Sequence, residues 1–206
     1  MFDVMLRPIK EQILAPVARL IGHRISPMTV TLAGIVTGVL STVLISRAAF
    51  SAALLLWFVN RLLDGLDGTL ARTQSAQSDF GGYADIVLDF VVYAAIPIAF
   101  VVASPSVPLC FAALVLLGSF YVNAASWMYL AAILERRDAG ARTRGELTSI
   151  TMPDGLIGGS ETVLLYTTFF LLPAHLVLLF WEMRYVSLSL AAPGLRPRLP
   201  VPTGEE

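Results

Sequence analysis

The stretch Asp64-Gly65-Leu66-Asp67-Gly68-Thr69-Leu70-Ala71-Arg72, continued by Gly81, Asp85 and Asp89, decides how this chain is read. Asp64, Asp67, Gly68 and Ala71 recur at i, i+3, i+4 and i+7, which places them on one face of a helix. Gly81, Asp85 and Asp89 follow at i, i+4 and i+8, one face of a second helix. The connecting Thr73, Gln74, Ser75, Gln77 and Ser78 tolerate a turn, so the two helices can lie antiparallel with their acidic faces opposed. Carboxylates crowded at the end of an apolar segment cost free energy unless a cation pairs with them. Four facing carboxylates with no Cys or His among them suit Mg²⁺ or Mn²⁺ better than zinc. Gly68, Ala71 and Gly81 carry almost no side chain, so a backbone, nucleotide or phosphate can approach closely. The competing readings are a solvated helix end and an ion-pair network with Arg61 and Arg72. Four carboxylates on two faces with small residues interleaved favour the cation site.

Composition sets the surroundings. Of 206 residues, 56% are hydrophobic and only 14% charged, and the mean hydropathy is +0.75. That is too apolar for an ordinary soluble domain, and several segments are long enough to cross a bilayer. The net charge of −1 offers no attraction to nucleic acid. Cys110, the single cysteine, lies in an apolar run and reads as a small buried hydrophobe. The first residues lack a basic stretch, an apolar core and a cleavage site in series, so no cleaved signal peptide is expected.

Taken in order, residues 1–25 read as an amphipathic interfacial helix. Ile9, Ile13, Val17 and Leu20 share one side, Arg7, Lys10 and Arg19 the other, and Pro8 and Pro16 should bend or divide it. Ser26-Pro27 resembles an N-cap with proline at the first helical position. Residues 26–191 then read as an all-α membrane domain, a bundle of six transmembrane helices. The spans run from about 28 to 46, 49 into the acidic stretch, 81 to 103, 108 to 134, 156 to 172 and 173 to 189. Residues 192–206 are rich in proline and read as a disordered tail. Six crossings place both ends of the chain on one side, together with every Lys and Arg but Arg47. The positive-inside rule makes that side, and the aspartates with it, cytoplasmic, in an inner (cytoplasmic) membrane.

The spacing D-x2-D-G-x2-A-R-x8-G-x3-D-x3-D resembles the signature of the CDP-alcohol phosphotransferase family, with all its specified positions present: Asp64, Asp67, Gly68, Ala71, Arg72, Gly81, Asp85 and Asp89. The resemblance implies a phospholipid-synthesis enzyme. A CDP-linked donor, usually CDP-diacylglycerol, is attacked by a small alcohol, giving a lipid phosphodiester and CMP. Asp64, Asp67 and Asp85 would be the main ligands of Mg²⁺ or Mn²⁺, two ions in all. Asp89 would be the general base and would also touch a metal. Gly68 and Ala71 would clear room for the nucleotide, with Arg72 supporting it or locking the metal ligands. Family members often carry Pro-Asn followed by Thr at the start of the first span. Here Pro27 and Thr31 are present but Met28 replaces the Asn, leaving Thr31 as the nucleotide-binding candidate of this segment. The family also implies a homodimer, for which Ala94, Ala95 and Ala99 offer close helix approach.

The loop arginines Arg136, Arg137, Arg142 and Arg144 should flank the aspartates. They would suit a phosphorylated polyol acceptor, or else anionic lipid headgroups. Glu161, with Ser160, would bind a polyol's hydroxyls. Two other functions fit the same spans. A transporter would need polar residues running through the membrane, whereas here they gather at one face. An inactive scaffold of the same fold would not need Asp89.

Overall fold

The computed structural model describes residues 2–137 and 159–191, and the side chains of residues 12–137 and 162–188. Seven α-helices lie among the described residues. They are α1 (Phe2–Ile21), α2 (Pro27–Ser46), α3 (Phe50–Thr73), α4 (Asp79–Ala103), α5 (Val107–Arg136), α6 (Gly159–Leu171) and α7 (Leu176–Ala191), with short 3₁₀ turns at Gly22–Arg24 and Pro173–His175. No strand occurs among the described residues.

Serine caps punctuate the helices. Ser26 Oγ accepts from the Thr29 N–H at 3.2 Å, Ser78 Oγ from Gly81 at 3.1 Å and Ser106 Oγ from Leu109 at 3.3 Å. Each satisfies a donor that the first turn would otherwise leave bare. Proline follows at the start of α2 and α5, where its missing N–H costs nothing. α1 runs undivided through Pro8 and Pro16, contrary to the expected break. The Gln74 side chain, just past α3, donates to the carbonyls of Gly22 and Ile25 and so ties the α1–α2 connection to the end of α3.

The two acidic faces are opposed across one cavity, as expected, but α2 stands against both helices. α2 packs along both α3 and α4, while the backbones of α3 and α4 scarcely meet. The reason lies on α2, whose Gly34 and Gly38 are buried. A Cβ on Gly38 would stand 2.6 Å from Val92 Cγ2 of α4, so only glycine admits that approach. Asn60 of α3, 3% exposed, donates through Nδ2 to the Gly34 carbonyl at 2.9 Å. The gap left between α3 and α4 is filled by side chains from both.

Below that junction lies an aromatic core. Trp57, Phe100, Tyr166, Phe169 and Phe180 are buried together. Trp57 stacks on Tyr166 with ring centres 5.5 Å apart, and Phe169 meets Phe180 edge-on at 4.9 Å. α7 returns along α5. Ala99 belongs to this intrachain core and is 7% exposed, so it is not free to face a second copy.

Three helices, α2, α4 and α5, are long and apolar enough to cross a bilayer. Residues Thr162–Leu171 and Pro173–Leu188 reach that standard only taken together, and they meet at 103°. The described residues are thus all-helical, with three candidate membrane spans, or four if the bent pair counts as one.

Candidate active site

Asp64 and Asp67 on α3 and Asp85 and Asp89 on α4 line one narrow cavity, closed on its third side by Thr31 and Gly34 of α2. Helical spacing brings each pair to its own helix face, and α2 holds the two faces at a distance. The most enclosed carboxylate is Asp67, 4% exposed. It accepts from Thr31 Oγ1 at 2.7 Å, a short contact of the kind made to a charged acceptor.

Arg61, one turn before Asp64, makes a fork onto Asp89: Nη2 to Oδ1 at 2.7 Å and Nη1 to Oδ2 at 3.2 Å. Its Nη1 also stands 3.7 Å from Asp64 Oδ2. The guanidinium is itself gripped from several directions. Nε and Nη2 donate to Asn60 Oδ1 at 2.9 and 2.8 Å. Nη1 donates to the Tyr93 hydroxyl at 3.1 Å. The rings of Trp57 and Tyr93 stand 4.9 and 5.0 Å from its carbon. The Arg61 side chain is 9% exposed, against 32% for Asp89 and 24% for Asp64. The cation is therefore the fixed member and the carboxylates the accessible ones. The ion-pair alternative is met in part: Arg61 pairs with two of the four aspartates, Asp64 and Asp89.

A wider cavity of about 270 Å³ adjoins the first. Gly68, Ala71, Arg72 and Gly81 line it, with Met28 and Ser78 at its margin. Thr31, Asp67 and Asp85 belong to both cavities. Arg72 Nη2 donates to Thr69 Oγ1 at 3.2 Å. All eight signature positions thus line two contiguous hollows. Arg136 and Arg137 lie exposed at the end of α5 and line neither hollow. Arg142 and Arg144 lie outside the described residues, as does the side chain of Glu161 in the first turn of α6.

The donor set fits a hard divalent ion, being four carboxylates on one cavity with no nitrogen or sulfur ligand among the residues lining it. As they stand, no three Asp, Glu, His or Cys side chains among the described residues are drawn together closely enough to enclose an ion. Thr31 holds one oxygen of Asp67, and Arg61 holds both of Asp89.

Sequence reasoning passed over Asn60 and Tyr93 as parts of the site and met Arg61 only in the competing ion-pair reading. A signal existed for Arg61, since a cation one turn before Asp64 in an apolar helix must find a partner. Nothing in the sequence told that the partner would be Asp89 on the next helix.

The profile of the CDP-alcohol phosphatidyltransferase family matches residues 24–193. The inner membrane protein YnjF of Escherichia coli is 35% identical over 175 residues, 84% of either chain. A bifunctional IPC transferase and DIPP synthase of Thermococcus kodakarensis is 31% identical over 119 residues, which cover 57% of this chain and 27% of that one. The fold is shared with phosphatidylinositol phosphate synthase (PgsA1) of Mycobacterium tuberculosis, solved with CDP-DAG bound, at a TM-score of 0.67 and 22% identity over 87% of this chain and 90% of that one. This chain belongs to the CDP-alcohol phosphatidyltransferase family, a class of membrane transferase of phospholipid synthesis.

Proposed function

We propose that this protein transfers a phosphatidyl group from CDP-diacylglycerol to a small alcohol and releases CMP. The observation that carries the reading is the pair of adjoining hollows, one walled by four aspartates and the other cleared by Gly68, Ala71 and Gly81. The wide hollow suits the nucleotide, and Arg72 on its wall suits a phosphate of the donor. Thr31 supports the nucleotide end through the wall it shares with the acidic hollow.

Asp64, Asp67 and Asp85 are the ligands proposed for Mg²⁺ or Mn²⁺. Bound there, two divalent ions supply neutralisation of the donor's pyrophosphate. Asp89 takes the hydroxyl proton of the acceptor as its oxygen attacks the phosphorus bearing the diacylglycerol. The bond from that phosphorus to the bridging oxygen breaks, and the electron pair leaves with CMP. Thr31 and Arg61 hold Asp67 and Asp89 in place, which limits the reorganisation the reaction requires.

In this reading α3, α6 and α7 also cross the bilayer, giving six crossings with the aspartates at the cytoplasmic face, and two copies associate. The arginine loop, Arg136 to Arg144, and Glu161 receive a phosphorylated polyol. The test is CMP release from CDP-diacylglycerol in detergent against a panel of phosphorylated and plain alcohols. Release with at least one alcohol, lost in Asp89→Asn, supports the reading. No release with any acceptor favours an inactive scaffold, and near-normal release by Asp89→Asn removes the base.

A further inference from the structure

The wide hollow opens between two segments that are far apart in the chain. Ser26, Pro27 and Met28 form one lip, and Ala76, Gln77 and Ser78 the other. Residues 23–26 and 75–78 are exposed, so burial of side chains does little to fix either lip. Gln74 joins the two. Its own N–H donates to the Leu70 carbonyl at 2.9 Å, and Leu70 is fully buried in a cluster with Ala18 and Val30. The residue therefore has a firm base at the end of α3. From that base its side-chain Nε2 donates to two carbonyls of the α1–α2 connector, those of Gly22 and Ile25. An amide nitrogen carries two N–H donors, and both are used. Just beyond, Ser75 turns the chain at a left-handed φ of 53°, and the Ala76 N–H returns to the Ala71 carbonyl at 2.9 Å. Gln74 lines neither hollow, so any effect on the site passes through the segments it joins.

We propose that Gln74 is a positioning residue that holds the two lips of the wide hollow at the separation the nucleotide requires, and so governs donor affinity rather than the rate of transfer. This rests on the reading of that hollow as the seat of the nucleotide. With the tie in place the lips are ordered before the donor arrives. Without it their ordering falls on the binding step and weakens binding. The four aspartates sit inside α3 and α4, which α2 holds through its close packing at Gly34 and Gly38, so the transfer step is left almost unchanged. A merely structural glutamine would behave otherwise. Its loss would lower the melting temperature and the yield of folded protein, while the folded remainder kept the parent's donor KM.

The experiment uses the purified full chain in detergent. It reads CMP release with donor KM and kcat resolved, CMP binding by titration calorimetry with Mg²⁺ present, and the thermal melt. Gln74→Met keeps the length of the side chain and removes both donors. Donor KM and the Kd for CMP should each rise by about fivefold or more, with kcat within about twofold of the parent. An unchanged donor KM, or a loss of kcat as large as the rise in KM, overturns the proposal. Should Gln74→Met fail to fold, Gln74→Asn keeps the amide but draws it back by one methylene, out of reach of one carbonyl or both. It should raise donor KM and the Kd for CMP by about twofold or more with kcat unchanged, and parental values of both overturn the proposal in that case. If the parent neither binds CMP nor releases it, the nucleotide reading of the hollow fails and the proposal with it. If the parent binds CMP and Gln74→Met binds it as tightly, only the role given to Gln74 fails.

Discussion

Thr31→Val offers the sharpest test of how the acidic hollow is held. The exchange keeps the size and β-branching of the side chain and removes the hydroxyl. That hydroxyl stands 2.7 Å from Asp67 Oδ2, and Asp67 is 4% exposed, so little water can replace the lost donor. Hydrogen bonds to charged groups contribute about 1.5–3 kcal/mol. At about 1.4 kcal/mol per factor of ten, donor kcat/KM should fall by about 10- to 100-fold. Thr31→Ser keeps the oxygen and should stay within about threefold of the parent. The assay is CMP release with the donor varied at saturating alcohol, with a thermal melt to show that both variants are folded. A Thr31→Val protein within about threefold of the parent would refute the argument, since Asp67 would then be held without Thr31.

Other outcomes follow from the same structure. Gly38→Ala would put a Cβ 2.6 Å from Val92 Cγ2, whereas Gly34→Ala meets nothing nearer than 3.8 Å; the first should cost about 1–3 kcal/mol and lower the melting temperature, the second should not. Chelation should abolish CMP release, and Mg²⁺ or Mn²⁺ should restore it. In a Cys110→Ala background, a cysteine within residues 138–142 should be labelled only from the cytoplasmic side and one replacing Ser106 only from the other. The reverse pattern would reject the cytoplasmic site. Arg142→Gln with Arg144→Gln should raise acceptor KM but not donor KM; an unchanged acceptor KM would remove the phosphate from the acceptor.

Much of this was legible in the residues. Ser26-Pro27 marked the start of α2 because cap and proline act locally, and the 3.6-residue period put each pair of aspartates on one face. Local rules do not say how a helix is rotated against a helix distant in the chain. The opposed acidic faces were legible, but the part α2 plays between them was not, although Gly34 and Gly38, four residues apart, carried the mark of close packing. Arg61 was weighed as part of an ion-pair network, but its forked partner, Asp89, is 28 residues away and no local rule names it. The bend after Leu171 escaped for a similar reason. Hydropathy measures the length of an apolar run and is blind to the angle between its halves.

The two hollows are semi-detached, with Thr31, Asp67 and Asp85 as the party wall. A change to the wall alters both hollows at once, so on the proposed reading nucleotide recognition and transfer are coupled at those positions. Met28 and Gln77 line the wider room alone and take no part in the shared wall. At Met28 this chain departs from the family's usual asparagine. Descendants of such a site would change their donor by redecorating there while leaving the partition untouched.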